Sequence, residues 1–277
     1  MFLIAGCGDQ TPDRPAKLRI GLLPDQSEAA LREKYRDIAD YLSGELGIPC
    51  DLVIASSYEG AVEDFVAGRV DISRFGGWTS LLARERYEVV PLVMREVDRH
   101  FSSVFLAAPK FRDHTLADFE GTRLAFGAAQ STSGHLMPRH FLRLDGIVPE
   151  EFFSSVTYSG GHDLTALLVQ NGKADLGAAN GIVVQRMFAN GTLDPDRVIV
   201  LEETSPYSNY CWMARAELSE PLTEEIRAAF LDLSPLDPAH ADLLERHSAG
   251  VYLPVRLSDY KILERARESL PPEHPHR

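Results

Sequence analysis

Three consecutive hydroxyls, Ser131, Thr132 and Ser133, sit between Gly127 and Gly134 in the segment LAFGAAQSTSGH (124–135). An apolar strand leads into this loop and a helix leads out of it. At such a junction backbone N–H groups lack partners, and the helix dipole favours negative charge. Serine and threonine hydroxyls add donors that rotate to suit an oxyanion. A helix cap uses one such hydroxyl, so three in a row exceed what capping needs. Pro138 prefers a first helical turn, so 131–134 is expected to form a separate turn ahead of the regular helix. Two more helix starts follow in the same half: SGGHD (159–163), which carries His162, and the pair Asn180 and Gly181. His162 can donate to an oxyanion.

These loops need a scaffold, and the hydrophobic pattern supplies one. The segment LRIGL (18–22) alternates and stops at Pro24, as a strand does. Over 27–46, Leu31, Tyr35, Ile38, Leu42 and Leu46 recur at helical spacing, with Ser27 to start the helix and Gly47 to end it. Strands are expected at 52–54, 70–72, 89–93 and 103–107, with helices after Ser57 and after a turn at Gly76, Gly77 and Trp78. The series then restarts. Strands at 123–126, 155–158, 175–178, 198–201 and 210–213 alternate with helices at 137–144, 162–170 and 182–188. The remainder reads as helical, near 222–232, 238–247 and 258–268. Alternation of this kind argues for α/β architecture with largely parallel sheets. Two runs of about 90 residues argue for two similar lobes. In open α/β sheets ligands bind beyond the carboxyl ends of strands, so the three loops are expected to converge on one cleft.

The chain has 277 residues with 28 Lys+Arg against 41 Asp+Glu, a net charge of −13. Such a field repels nucleic acid and anionic lipid, so no nucleic-acid partner is expected. An anionic ligand must be captured locally, against the global field. No apolar run reaches the eighteen residues of a membrane-spanning helix. The N-terminal MFLIAGCGD resembles a bacterial lipobox, in which Cys7 becomes the lipidated first residue of the mature chain. Six residues are too few for a signal peptide of about 15–30, so the natural start is expected upstream. GDQTPDRP (8–15) reads as a polar tether. The other two cysteines, Cys50 and Cys211, could pair in an oxidising compartment but are expected to stay buried and apart.

The hydroxyl loop extends into a wider resemblance. QSTSGHLMP (130–138) resembles the S-T-S-G…P motif of phosphonate, phosphite and phosphate binding proteins of ABC importers. YEGAVEDF (58–65), with Asp71 and the Phe75–Gly76 pair, is similar to that family's first-lobe pattern. LADFEG (116–121) and GHD (161–163), followed by NGKAD (171–175), are similar to its second-lobe pattern. The likeness spans roughly residues 17 to 215, in order. It implies a type II periplasmic binding protein: two α/β lobes with mixed, mostly parallel sheets, joined by a two-strand hinge, with a ligand held between them. The expected divisions are 1–16 for the truncated signal, lipobox and tether, 17–104 with 208–277 for the first lobe, and 105–207 for the second. The hinge crossings are expected near 103–108 and 204–210, with the C-terminal helices packed mostly on the first lobe.

By position, the resemblance implies that Ser131, Thr132, Ser133 and His162 contact an oxyanion, with Gly134 closing the turn. Tyr58 matches the family's first-lobe tyrosine. Phe101 stands where a tyrosine is usual, and Asn180 where aspartate is frequent. A carboxylate only accepts, whereas an amide also donates, so Asn180 argues against an aminoalkylphosphonate. Trp78 falls near the cleft mouth by pattern, where it would shrink the pocket, or else belongs to the lobe core. The implied function is capture of a small tetrahedral oxyanion and its delivery to an ABC permease. No enzyme activity, metal or cofactor is implied, the chain is expected to be a monomer, and its only membrane contact is the lipid anchor. An alternative output is presentation of the ligand state to a membrane sensor kinase. A hydrolase built on Ser133 and His162 lacks an orienting acid. A metal site on His135, His140 and His162 suffers from a spacing of five between the first two, poor for one helical face.

Overall fold

The computed structural model describes residues 14–268 and 270, so Cys7 and most of the expected tether lie outside the described residues. Twelve strands are described: β1 (Leu18–Leu22), β2 (Cys50–Ile54), β3 (Ile72–Phe75), β4 (Val89–Pro91), β5 (Val93–Arg95), β6 (Ser103–Ala107), β7 (Arg123–Phe126), β8 (Ser155–Tyr158), β9 (Leu176–Asn180), β10 (Ile199–Glu203), β11 (Cys211–Arg215) and β12 (Tyr252–Pro254). They form two five-stranded sheets, ordered β2-β1-β3-β11-β4 and β10-β6-β9-β7-β8, and a ribbon of β5 with β12. This is the two-lobe α/β architecture.

Each sheet is mixed, with two parallel and two antiparallel pairings, where strand–helix alternation had suggested largely parallel sheets. The cause is the crossing between lobes. β11 returns from the second lobe and inserts antiparallel between β3 and β4, while β6 enters the second sheet antiparallel to β9 and β10. The outward crossing also lies earlier than expected. Ser103–Ala107 is wholly sheet, so the boundary placed after residue 104 falls inside a strand. The two connections meet instead at Phe101 and Tyr207, whose backbones exchange two hydrogen bonds of 2.8 Å.

The periodicities translate directly into packing. In the helix Glu28–Leu46, Leu31, Tyr35, Ile38, Leu42 and Leu46 are all buried against the first sheet. Ser27 accepts from the Ala30 N–H, and Gly47 ends the helix at φ +64°, a conformation in which glycine lacks the Cβ penalty. The second sheet is covered on both faces. Val104, Leu106 and Ala179 pack on one side, and Phe105, Leu124, Phe126 and Ala178 on the other. Cys211 is buried and Cys50 half-buried. Both are free thiols, on strands separated by β1 and β3.

The C-terminal segment is part of the lobes. Helix Glu220–Leu231 contributes Leu222, Ile226 and Phe230 to the core beneath the first sheet. Between the helices runs β12, in the gap between two expected helical segments; it pairs with β5, which Leu92 separates from β4 within the strand expected at 89–93. The last helix, Lys261–Arg267, packs against both the helix Gly77–Arg86 of the first lobe and the helix Met137–Leu144 of the second. A Cβ on Gly77 would lie 2.3 Å from Leu263 Cδ2 and 3.3 Å from the Ser208 carbonyl oxygen. Gly77→Ala therefore forces the buried Leu263 aside. The expected cost is about 1–3 kcal/mol, read as a lowered denaturation midpoint together with faster proteolytic release of the C-terminal helix.

Candidate functional site

The hydroxyl loop forms a single wide π-helical turn, Thr132–Leu136, running directly into the α-helix Met137–Leu144. Ser131 caps it, its side chain accepting from the Gly134 N–H at 3.0 Å. The turn folds back on the strand that precedes it: the Gly127 N–H donates to the Gly134 carbonyl at 2.7 Å. A Cβ on Gly134 would sit 3.0 Å from Gly127 Cα and 3.1 Å from His162 Cε1, so glycine is what allows the turn, the strand exit and the histidine to meet. Ser131, Thr132 and Ser133 are all buried. Ser133 Oγ has no hydrogen-bond partner among the described residues. Thr132 Oγ1 accepts from the Trp78 N–H of the other lobe at 2.8 Å, which leaves its own proton free to donate.

The turn is braced from behind. His135 Nδ1 bonds the Ala129 carbonyl at 2.7 Å, and its Nε2 accepts from Arg139 Nε at 2.9 Å. Arg139 is fully buried and also binds Glu150. Both ring nitrogens of His135 are therefore committed, which removes it from the metal set considered above.

His162 opens the helix His162–Gln170 and is completely buried. Its backbone N–H donates to the Asp25 carbonyl of the other lobe at 3.2 Å. Its Nδ1 accepts from the Asn180 N–H at 3.3 Å, so in the neutral ring the proton sits on Nε2. That nitrogen lies 3.4 Å from Tyr210 Oη. Asn180 caps the helix Gly181–Ala189: its Oδ1 accepts from the Ile182 and Val183 N–H groups, and its Nδ2 turns to Tyr210 Oη at 3.3 Å. Tyr210 thus accepts two long bonds, which frees its own proton. Bonds of this length are weak and re-aim easily.

The first lobe supplies the facing wall. Tyr58, first residue of the helix Tyr58–Val66, is buried beside Ser131 with no hydrogen-bond partner for its hydroxyl among the described residues. Phe101 packs edge-on to Tyr210 at 5.8 Å between ring centres. Trp78, expected near the cleft mouth, is buried between the lobes with its ring 5.9 Å from His135. Sequence reasoning missed three residues here: Tyr210, Asp25 and Arg74. Arg74 is buried at the end of β3, its guanidinium 3.7 Å above the Tyr210 ring and 3.6 Å from Asp25 Oδ2. A charged residue within the apolar stretch around β3, and an acid just beyond β1, were the available signals.

Burial decides the protonation states. It lowers the pKa of His162, which is therefore a neutral donor through Nε2. It raises those of Tyr58 and Tyr210, keeping both hydroxyls protonated. Burial opposes the charge of Arg74, but Tyr35, Asp25, Tyr210 and Asp98 together outweigh it and hold the guanidinium above its usual pKa. The site is an array of neutral donors with one compensated cation.

Comparison with known proteins assigns this arrangement. The sequence model described as ABC transporter, phosphonate, periplasmic substrate-binding protein matches residues 20–260. The chain belongs to this family. The probable ABC transporter phosphite binding protein PhnD1 of Prochlorococcus marinus (strain MIT 9301) is 28% identical over 262 residues, covering 90% of this chain and 88% of the relative. The phosphate-import protein PhnD of Mycolicibacterium smegmatis is 26% identical, covering 78% of this chain and 71% of the relative. The structure of the Prochlorococcus protein in complex with methylphosphonate superposes with a TM-score of 0.86 at 26% identity, covering 92% of this chain and 98% of that one. The family is periplasmic and works with an ABC permease.

The buried histidines give this binding protein an acid-sensitive fold. Burial lowers the pKa of His135 and of His247 from 6.5 to about 4. Between pH 6.5 and 4 the unfolded chain binds more protons at these rings than the folded chain does, so stability rises with pH across that window. The melting temperature is expected to be level in this respect above pH 6.5 and to fall as pH drops toward 4. Melting curves of His135→Gln should show a shallower fall, because one of the titrations is removed.

Proposed function

We propose that the chain captures one small tetrahedral oxyanion between its lobes, a phosphite, a phosphate or a phosphonate without an amine, and delivers it to an ABC importer. The observation that carries this reading is the meeting of buried donors from both lobes at the hydroxyl turn. Ser133 Oγ and Tyr58 Oη lack partners, Thr132 keeps its proton free, and His162 is locked as a donor. The net charge of −13 rules out long-range attraction as the source of affinity. Short bonds to a charged acceptor must supply it, at about 1.5–3 kcal/mol each. Relatives that bind phosphite, phosphate and methylphosphonate support the ligand class.

In this mechanism the ligand enters between open lobes and closure completes its shell. The turn and His162 come from the second lobe, Tyr58 from the first. Thr132 serves both purposes, donating to the ligand while accepting from the Trp78 N–H across the cleft. Asn180 offers an amide where a carboxylate would attract an ammonium, so the neutral-tailed oxyanions are favoured. The protein acts as a monomeric carrier rather than an enzyme.

Isothermal titration with phosphate, phosphite and methylphosphonate tests this. At least one should bind, and Thr132→Val should weaken it about 10- to 100-fold, with a similar loss for His162→Ala. Parental affinity in both variants would place the site elsewhere.

The anchor belongs to the same reading: the carrier is held at the membrane surface by a lipid on Cys7, ahead of a polar tether. Labelled palmitate fed to cells expressing the full precursor should tag the protein, and Cys7→Ser should abolish the label. Label surviving that substitution would exclude this anchor.

A further inference from the structure

The cleft contains one pair of opposite charges that the donor array does not require. Arg74 and Asp25 both belong to the first lobe and are almost fully buried, with side chains 8% and 3% exposed. Their closest approach, Nη1 to Oδ2, is 3.6 Å, beyond hydrogen-bond length, so the acid pairs with the guanidinium by charge rather than by a hydrogen bond. A guanidinium carries five donors, and burying one so poorly satisfied is costly unless another acceptor completes it. Its location says which acceptor. The guanidinium lies flat on Tyr210, whose hydroxyl touches both His162 and Asn180. Asp25 is joined to His162 through its own backbone carbonyl. The pair therefore stands one aromatic ring away from the oxyanion donors.

The geometry points to the Arg74–Asp25 pair as the specificity element of the cleft, admitting an oxyanion with a neutral substituent and refusing one that carries an amine. This inference rests on the proposed function and names the discriminating residues of the same site. Arg74 places an arginine charge 3.7 Å from the centre of the Tyr210 ring, and that charge favours an anion at the hydroxyl turn. It also engages Asp25, the buried carboxylate beside the donor array and a candidate to receive a ligand ammonium. An amine-bearing phosphonate thus meets a fixed cation where it needs a free acid. Asn180 removes a second such acid from the opposite lobe.

Removing the cation should invert the preference. Titration calorimetry with methylphosphonate and 2-aminoethylphosphonate is to be run on the parent, on Arg74→Gln, and on the double variant Arg74→Gln/Asp25→Asn. Arg74→Gln exposes Asp25 as an unpaired carboxylate. Methylphosphonate binding should weaken about 10- to 100-fold, while 2-aminoethylphosphonate binding weakens far less or tightens. The double variant, with neither charge, should prefer methylphosphonate again. Asp25→Asn alone should tighten methylphosphonate even as it lowers the melting temperature of the free protein, because it leaves Arg74 buried without its acid. A purely structural pair predicts otherwise: the single variants lose affinity together, and the ratio between the two ligands stays constant. That result, or an Arg74→Gln variant that binds like the parent, overturns the inference and leaves the proposed function standing. A parent that binds no oxyanion overturns both.

Discussion

The bond from the Trp78 N–H to Thr132 Oγ1 is the interaction on which the arrangement of the lobes turns. The helix Gly77–Arg86 begins at Gly76, which has no side chain with which to cap it. Its first N–H groups are satisfied from elsewhere: Gly77 by Asn209 Oδ1, on the return connection between the lobes, and Trp78 by Thr132. A first-lobe helix is thus capped by a second-lobe threonine. A buried N–H without a partner costs about 1–3 kcal/mol, so this helix start is fully satisfied only while the lobes are together. The same threonine stands in the hydroxyl turn. The contact between the lobes and the shape of the hydroxyl turn therefore meet at one side chain, and Gly127 with Gly134 provides the close backbone contact that holds it there.

Charge imposes the second constraint. A chain with a net charge of −13 that holds an anion gains nothing from uncompensated acids at the pocket. The structure resolves this with neutral donors. Hydroxyls, an amide and a histidine kept uncharged by burial are aimed inward, and the one cation is offset by Asp25. Neutral donors are individually weaker than charged ones, so several must converge. That convergence needs helix starts and strand ends from both sheets, which is what the two-lobe fold brings to a single place.

Much of this was legible in the sequence, for identifiable reasons. Helix 28–46 and the strands of both sheets carry long, regular apolar periods that tertiary context had no cause to override. The turn at 131–134 was legible because three hydroxyls exceed the needs of a cap and Pro138 fixes where the regular helix can run. The direction of β6 and β11 was not legible, since local pattern carries no information about the partner strand. β12 was lost because three residues are too few to show alternation. Arg74 and Tyr210 escaped because each sits in or beside a buried strand, where a side chain reads as part of a sheet; only the fold shows that one lies flat on the other. Trp78 read as a cleft-mouth residue because its neighbours suggested a loop, whereas the helix begins one residue earlier and turns the ring inward.

The hydrogen bonds of His162 also separate holding from reacting. A general base at Nε2 needs a lone pair there, with an acid on Nδ1–H to orient the ring. Here Nδ1 receives a backbone N–H, which places the proton on Nε2 and makes that nitrogen a donor. Burial further disfavours the imidazolium that proton transfer to the ring would create. The ring therefore suits an oxygen that already bears negative charge. The Asn180 N–H that favours this tautomer belongs to the residue that caps the next helix, so the donor state of His162 is set from the backbone of the second sheet rather than from a side chain.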